Sequence, residues 1–145
     1  MRQQYETEQT LAAERQVVES VKHPDEQAVK LPKQYRIDFA LVFDGSVKRF
    51  VEVKCRTNHS TQFDTYIISL AKVSAAKHLA QVTKLPVFLV VKWNDATGCV
   101  LLDQVESSHI TFGGRYDRGD WQDEEPLVHI PISDFFMFEQ GVSQS

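Results

Sequence analysis

Tyr35-Arg36-Ile37-Asp38-Phe39-Ala40-Leu41-Val42-Phe43 and, a few residues on, Phe50-Val51-Glu52-Val53-Lys54-Cys55 are the two runs that decide how this chain is read. Both are rich in β-branched and aromatic residues, and polar residues alternate with apolar ones, which predicts two strands. On a strand, side chains i and i+2 share a face roughly 7 Å apart. Glu52 and Lys54 therefore point one way, and Val51, Val53 and Cys55 the other. In the first run Ile37, Phe39, Leu41 and Phe43 form the expected apolar face, leaving Asp38 on the opposite side. If the apolar faces coincide, Asp38, Glu52 and Lys54 converge on one face of a hairpin. Two carboxylates held close together are costly unless something neutralises them, and a hard divalent cation is the obvious candidate.

The surrounding sequence supplies the rest of an α/β domain. Asp44-Gly45-Ser46 has turn chemistry, and a loop of three residues would set Asp38 directly opposite Glu52. Upstream, residues 5 to 22 predict a helix with Leu11, Val18 and Val21 on one stripe and Glu14 among them, ended by His23-Pro24. Ala28 to Leu31 predicts a short strand. Downstream, 58–64 is polar and loop-like, and a second helix is expected from about Ile68 to Lys84, with Leu70, Val73, Ala76 and Ala80 inward. Leu85-Pro86 stops it. Val87 to Trp93 is nearly continuous in apolar residues, as suits a central strand covered on both faces. Cys99 to Leu102 and Leu127 to Ile132 predict further strands, 113–126 a long polar loop, and 134–138 a closing turn or helix.

A chain of 145 residues is expected to form one domain, 1–145. No apolar run approaches a membrane span, and the N-terminus has no hydrophobic signal region. Those features predict a cytoplasmic protein without a membrane partner. Cys55 and Cys99 have no metal-ligand spacing and read as reduced, buried thiols. The net charge of −4 is unevenly spread. Residues 1–32 carry −2, residues 33–92 carry +6, and residues 93–145 carry −8. The positive charge thus lies in the segment that holds Asp38, Glu52 and Lys54, as binding to a phosphate backbone requires.

Asp38 in Arg-Ile-Asp-Phe, followed by Glu52-x-Lys54 in Val-Glu-Val-Lys, resembles the motif of the PD-(D/E)XK nuclease superfamily, with Ile37 where the family name has proline. The resemblance covers roughly residues 10 to 93. It implies a restriction-endonuclease-like αβββαβ core, a mixed central sheet flanked by helices. It also implies Mg²⁺, with Mn²⁺ able to substitute, held by Asp38, Glu52 and the Val53 carbonyl. Lys54 would then act electrostatically beside the attacking water. In several branches of the superfamily a glutamate of the first helix serves the metal. Glu14, on the inward stripe, is the choice here over Glu19, which is turned away. Helices after the Glu-x-Lys strand often contribute to such sites, which makes Lys72, and after it Lys77, expected nucleic-acid contacts. Arg56 continues the face of Lys54 and is expected to meet phosphate. Arg115 and Arg118, with Tyr116 and Trp121, sit in the polar loop, where an internally salt-bridged surface loop is the favoured expectation.

The expectation is therefore a DNA endonuclease with its site at Asp38, Glu52, Lys54 and Glu14, and homo-oligomerisation as a way to enlarge the binding surface. Its rivals are a non-catalytic nucleic-acid-binding or assembly module on the same fold, and a nuclease acting on RNA or branched DNA.

Overall fold

Helix α1 (Glu8–Val21) begins the part of the chain described by the computed structural model, which covers residues 8–113 and 124–138. Strands β1 (Gln27–Lys30), β2 (Phe39–Phe43) and β3 (Ser46–Cys55) follow as an antiparallel meander. A short strand β4 (Thr65–Ser69) leads into helix α2 (Leu70–Thr83), and the chain re-enters the sheet as β5 (Val87–Lys92), parallel to β3. Strand β6 (Thr97–Leu101) pairs antiparallel with β5, and β9 (Phe136–Met137) closes that edge. The six-stranded mixed sheet has the order β1-β2-β3-β5-β6-β9. Strand β4 joins β8 (Glu125–Pro131) and β7 (Ile110–Gly113) in a separate three-stranded antiparallel sheet, ordered β4-β8-β7. The αβββαβ order and the mixed sheet are those expected from the sequence.

Two apolar layers cover the large sheet. On one face Val17 and Val18 of α1 meet Phe39, Leu41, Val51, Val53 and Val90. On the other, Val73 and Ala76 of α2 and residues of the small sheet meet Ala40, Phe50, Leu89 and Val91. Strand β5 contributes to both layers, which explains its nearly unbroken apolar sequence. Helix α2 starts where Ser69 Oγ accepts the Lys72 backbone N–H at 3.1 Å, and it ends at Lys84 in the left-handed conformation, φ 62°.

The hairpin reaches its register differently from the expectation. The connection between β2 and β3 is two residues, Asp44 (φ 51°) and Gly45 (φ 79°), with Phe43 opposite Ser46. Two successive left-handed residues are the tight hairpin turn that matches strand twist, and glycine takes the second at no steric cost. The odd residue sits in the strand instead. Leu41 faces Arg49 and Val42 faces Val47, so Lys48 is the extra residue of a bulge. Beyond the bulge the register equals that of a three-residue loop.

Other expectations are corrected. Only Phe39 and Leu41 hold the α1 face of β2. Ile37 packs with Ala40 on the α2 face, and Phe43 is exposed. Strand β2 starts at Phe39, and Ile37 precedes it, just after the left-handed Arg36 (φ 61°), so the alternation does not extend back to it. Residues 65–69 form a strand ahead of α2, and of residues 134–138 only Asp134 is helical, at the end of a 3-10 turn (Ile132–Asp134), with β9 following it. Neither thiol is fully buried: Cys55 is exposed at the end of β3 and Cys99 is half-buried. Arg115, Tyr116, Arg118 and Trp121 lie outside the described residues. No helix among the described residues is long and apolar enough to cross a membrane.

Candidate active site

Phe39 pairs with Val51 at the end of the β2–β3 ladder, so Asp38 and Glu52 occupy the next opposed position. Two backbone donors fix them there. The Asp38 N–H donates to Glu52 Oε1 at 3.2 Å, and the Val53 N–H donates to Asp38 Oδ2 at 2.9 Å. Each carboxylate is thus oriented by the other residue's strand. The Asp38 carbonyl in turn accepts the Leu31 N–H at 2.8 Å, which ties this segment to the end of β1.

Three lysines close round the pair. Lys54 Nζ lies 3.6 Å from Glu52 Oε2, as the shared face of the Glu-x-Lys tripeptide requires. Lys72 Nζ, from the first turn of α2, lies 3.1 Å from the same oxygen and also donates to the Arg36 carbonyl. Lys30 Nζ, from β1, lies 3.3 Å from Asp38 Oδ1. Lys30 escaped the sequence analysis because nothing in the local pattern distinguishes it; only the register of Lys30 against Phe39 brings it alongside Asp38.

Glu52 is 1% exposed, the only acidic residue among the buried ones described. Burial pushes its carboxyl above the usual range, and the charge of Asp38 pushes the same way, while Lys72 and Lys54 oppose both. Burial therefore outweighs the two ammonium neighbours in setting the direction of the shift.

The other expected residues fall in different places. Arg56 is exposed, and its guanidinium lies 5.3 Å over the ring of buried Tyr66. Tyr66 was not anticipated either; burial pushes its phenol up to about 12. Lys77 does not join the carboxylates, and its ammonium donates to the Asp103 carbonyl at 3.0 Å. Glu14 is half-buried on α1 and close enough to Cys55 for its charge to raise that thiol, an effect smaller than burial's. Cys55 leaves β3 on the side opposite Lys54, so Glu14 approaches the strand from the α1 side. Glu19 is exposed and engaged with Arg15 and Lys22. Among the described residues no three His, Cys, Asp or Glu side chains gather closely enough to hold one ion. The side-chain donors that converge are therefore Asp38 and Glu52.

The Val53 carbonyl points to the same side of β3 as Asp38. The Phe50 and Arg56 N–H groups point to β5, so the odd-numbered residues of this stretch direct their N–H and C=O toward β2. Strand β2 begins at Phe39, opposite Val51, so Val53 lies past its end, beside Asp38. Two carboxylates and a carbonyl form an all-oxygen set, which suits a hard divalent cation. A cavity of about 660 Å³ between β6 and β8, lined by residues such as Val105, His129 and Phe136, contains none of these residues.

Among solved structures, the fold is similar to Hjc of Archaeoglobus fulgidus, a Holliday junction resolvase from an archaeal hyperthermophile. The TM-score is 0.53 at 12% identity, over 87% of this chain and 97% of that one. The search of curated proteins found no matching relative. Residues 1–138 match the family described as "Phage putative PDDEXK endonuclease". With the match spanning nearly the whole sequence and the Asp-Glu-x-Lys residues meeting on one face of the sheet, the chain belongs to this PD-(D/E)XK endonuclease family.

Proposed function

We propose that this protein is a metal-dependent nuclease that hydrolyses DNA phosphodiester bonds at Asp38, Glu52 and Lys54. The observation that carries this reading is the mutually oriented carboxylate pair, Asp38 and buried Glu52, with Lys54 beside it. Asp38, Glu52 and the Val53 carbonyl would hold Mg²⁺, or Mn²⁺ in its place. A divalent ion there supplies Lewis-acid chemistry, lowering the pKa of water and neutralising charge on a phosphate.

The chain's own residues do the rest. Register and the two backbone donors keep both carboxylates aimed without reorganisation. Lys54, 35% exposed in its side chain, stands at the boundary between Glu52 and solvent, where a phosphate oxygen would lie. Its ammonium stabilises negative charge as it grows during attack and helps a water lose its proton. Arg56, exposed over Tyr66 two residues on, is the first phosphate contact beyond the scissile group. Lys72 stands at the other flank. Lys77, bonded to Asp103, is more distant from this role, and Glu14 serves the site only if its carboxylate reaches past the end of β3. The net charge of +6 over residues 33–92 supports a polyanionic partner. The setting proposed is cytoplasmic, with a single domain over 1–145 and a second copy of the chain enlarging the DNA surface.

The test is cleavage of single-stranded, duplex and four-way-junction DNA, and of RNA, in Mg²⁺ or Mn²⁺ with EDTA as control. The fold likeness to a junction resolvase is the reason for the branched substrate. Metal-dependent DNA cleavage that is absent in Glu52→Gln is expected. If the wild type cuts none of these in either metal, the non-catalytic module on the same fold is the better account.

A further inference from the structure

All four oxygens of the carboxylate pair are engaged, and they divide into two kinds. Asp38 Oδ2 and Glu52 Oε1 accept backbone N–H groups whose positions are fixed by the β2–β3 register. Asp38 Oδ1 and Glu52 Oε2 instead face lysine ammonium groups: Lys30 on the first, Lys54 and Lys72 on the second. The two oxygens left without a backbone donor are therefore those that already face positive charge. Among the described residues, three ammonium groups thus face the two carboxylates before any metal arrives. A divalent ion must compete with these ammonium groups for the same carboxylates.

The lysines can move, and the backbone donors cannot. Lys30 and Lys72 sit on flexible four-carbon stems, with side chains 31% and 22% exposed. Lys72 keeps a second acceptor, the Arg36 carbonyl, when it leaves Glu52. Lys30 has the Phe39 ring 5.5 Å below its ammonium, which steadies the stem as the head group shifts. Displaced ammonium groups at the rim of a nuclease site have one strong class of acceptor, the phosphate oxygens of the substrate.

We propose that Lys30 and Lys72 are exchangeable cations that hold the place of the metal in the free protein and pass to DNA phosphates when the metal binds. This rests on the metal-dependent nuclease reading and adds to it two positioning residues and a coupling. The free protein binds divalent metal weakly, and DNA tightens metal binding because its phosphates accept the released lysines. By linkage the metal tightens DNA binding by the same factor.

The test uses the full chain. Calorimetric titration with Mn²⁺ compares the wild type with Lys30→Met and Lys30→Arg, folding being checked by circular dichroism. Lys30→Met should bind Mn²⁺ about tenfold more tightly, the scale of removing one partly screened charge beside the ion. Lys30→Arg keeps the charge and should stay near the wild type. Anisotropy of a labelled DNA duplex, with and without Ca²⁺, then measures the coupling. Ca²⁺ should tighten wild-type binding by about fivefold or more, within the usual range of coupling between sites. Lys30→Met should show a smaller effect. Lys72→Met is the second variant and should shift Mn²⁺ affinity in the same direction through Glu52. If both Met variants bind Mn²⁺ no more tightly than the wild type, the exchange is refuted and the lysines merely orient the carboxylates. If the wild type binds neither Mn²⁺ nor Ca²⁺, with or without DNA, the metal-dependent reading itself falls and the exchange goes with it.

Discussion

Asp38 and Glu52 face each other across the β2–β3 hairpin, and the backbone N–H of Asp38 donates to the Glu52 carboxylate at 3.2 Å. The bond fixes a buried acid against the strand that carries its partner, one register step past the last ladder pair, Phe39 and Val51. Divalent metal affinity should depend on both carboxylates. In Asp38→Asn the side chain still offers an oxygen to the Val53 N–H, so the hairpin should survive while a charge is lost. Calorimetry should show markedly weaker Mn²⁺ binding at an unchanged melting temperature. Unchanged affinity would remove the metal from this position.

Glu52 also gives a stability prediction. Its pKa is raised by burial first and by Asp38 second, above an ordinary value of 4.5. For an acid with a raised folded pKa, the stabilising contribution is complete below the unfolded pKa and is lost as pH rises through the folded one. In EDTA, Glu52→Gln should therefore melt above the wild type at pH 7 to 8, with the gap closing as the pH falls below the carboxyl's ordinary range. A variant that is less stable than the wild type at neutral pH would mean that the lysine pairs outweigh the burial of the charge.

How far the sequence reveals this site depends on distance along the chain. Glu52 and Lys54 share a strand, so a period of 2 suffices to place them together. Asp38 is legible because the alternation of β2 and a hairpin turn relate it to Glu52, although the parity was achieved by a bulge at Lys48 that no local signal announces. Lys72 could be suspected from its position near the start of α2, but its reach to Glu52 depends on how α2 lies over the sheet. Lys30 required the β1–β2 register and stayed hidden. The small sheet was missed for a similar reason: Thr65–Ser69 is short and followed at once by helical sequence, and its strand character comes from pairing with β8.

The turn that sets the register should be sensitive to its glycine. Gly45 has φ 79°, and a Cβ there would meet nothing within 4 Å, so substitution acts through backbone conformation alone. Gly45→Val should cost about 1–3 kcal/mol in urea unfolding, the range for a non-glycine residue held in such a conformation. Gly45→Asn, a residue that tolerates the left-handed region, should cost less. Equal losses in both would mean that the turn's φ is not what the glycine serves.

DNA affinity should fall steeply with salt, because it draws on the lysines and arginines of residues 33–92. Arg56→Glu changes an exposed side chain and should leave the fold intact. It should weaken binding across all DNA sequences and reduce the slope of log affinity against log salt by about 1. A flat salt dependence would place the interface elsewhere on the molecule.

The most direct test is the single-turnover rate of DNA cleavage in Mg²⁺ for the wild type against Lys54→Ala. Lys54 stands at the solvent boundary beside Glu52 Oε2, and its proposed work is done only as charge grows on the phosphate. Lys54→Ala should remain folded and bind metal, yet cleave slower by roughly 10² or more, the scale on which such groups act. Lys54→Arg should recover only part of the rate, since a broad planar guanidinium replaces a compact ammonium. A wild type that cleaves well, alongside a Lys54→Ala variant that cleaves equally well, would contradict the assignment of this site.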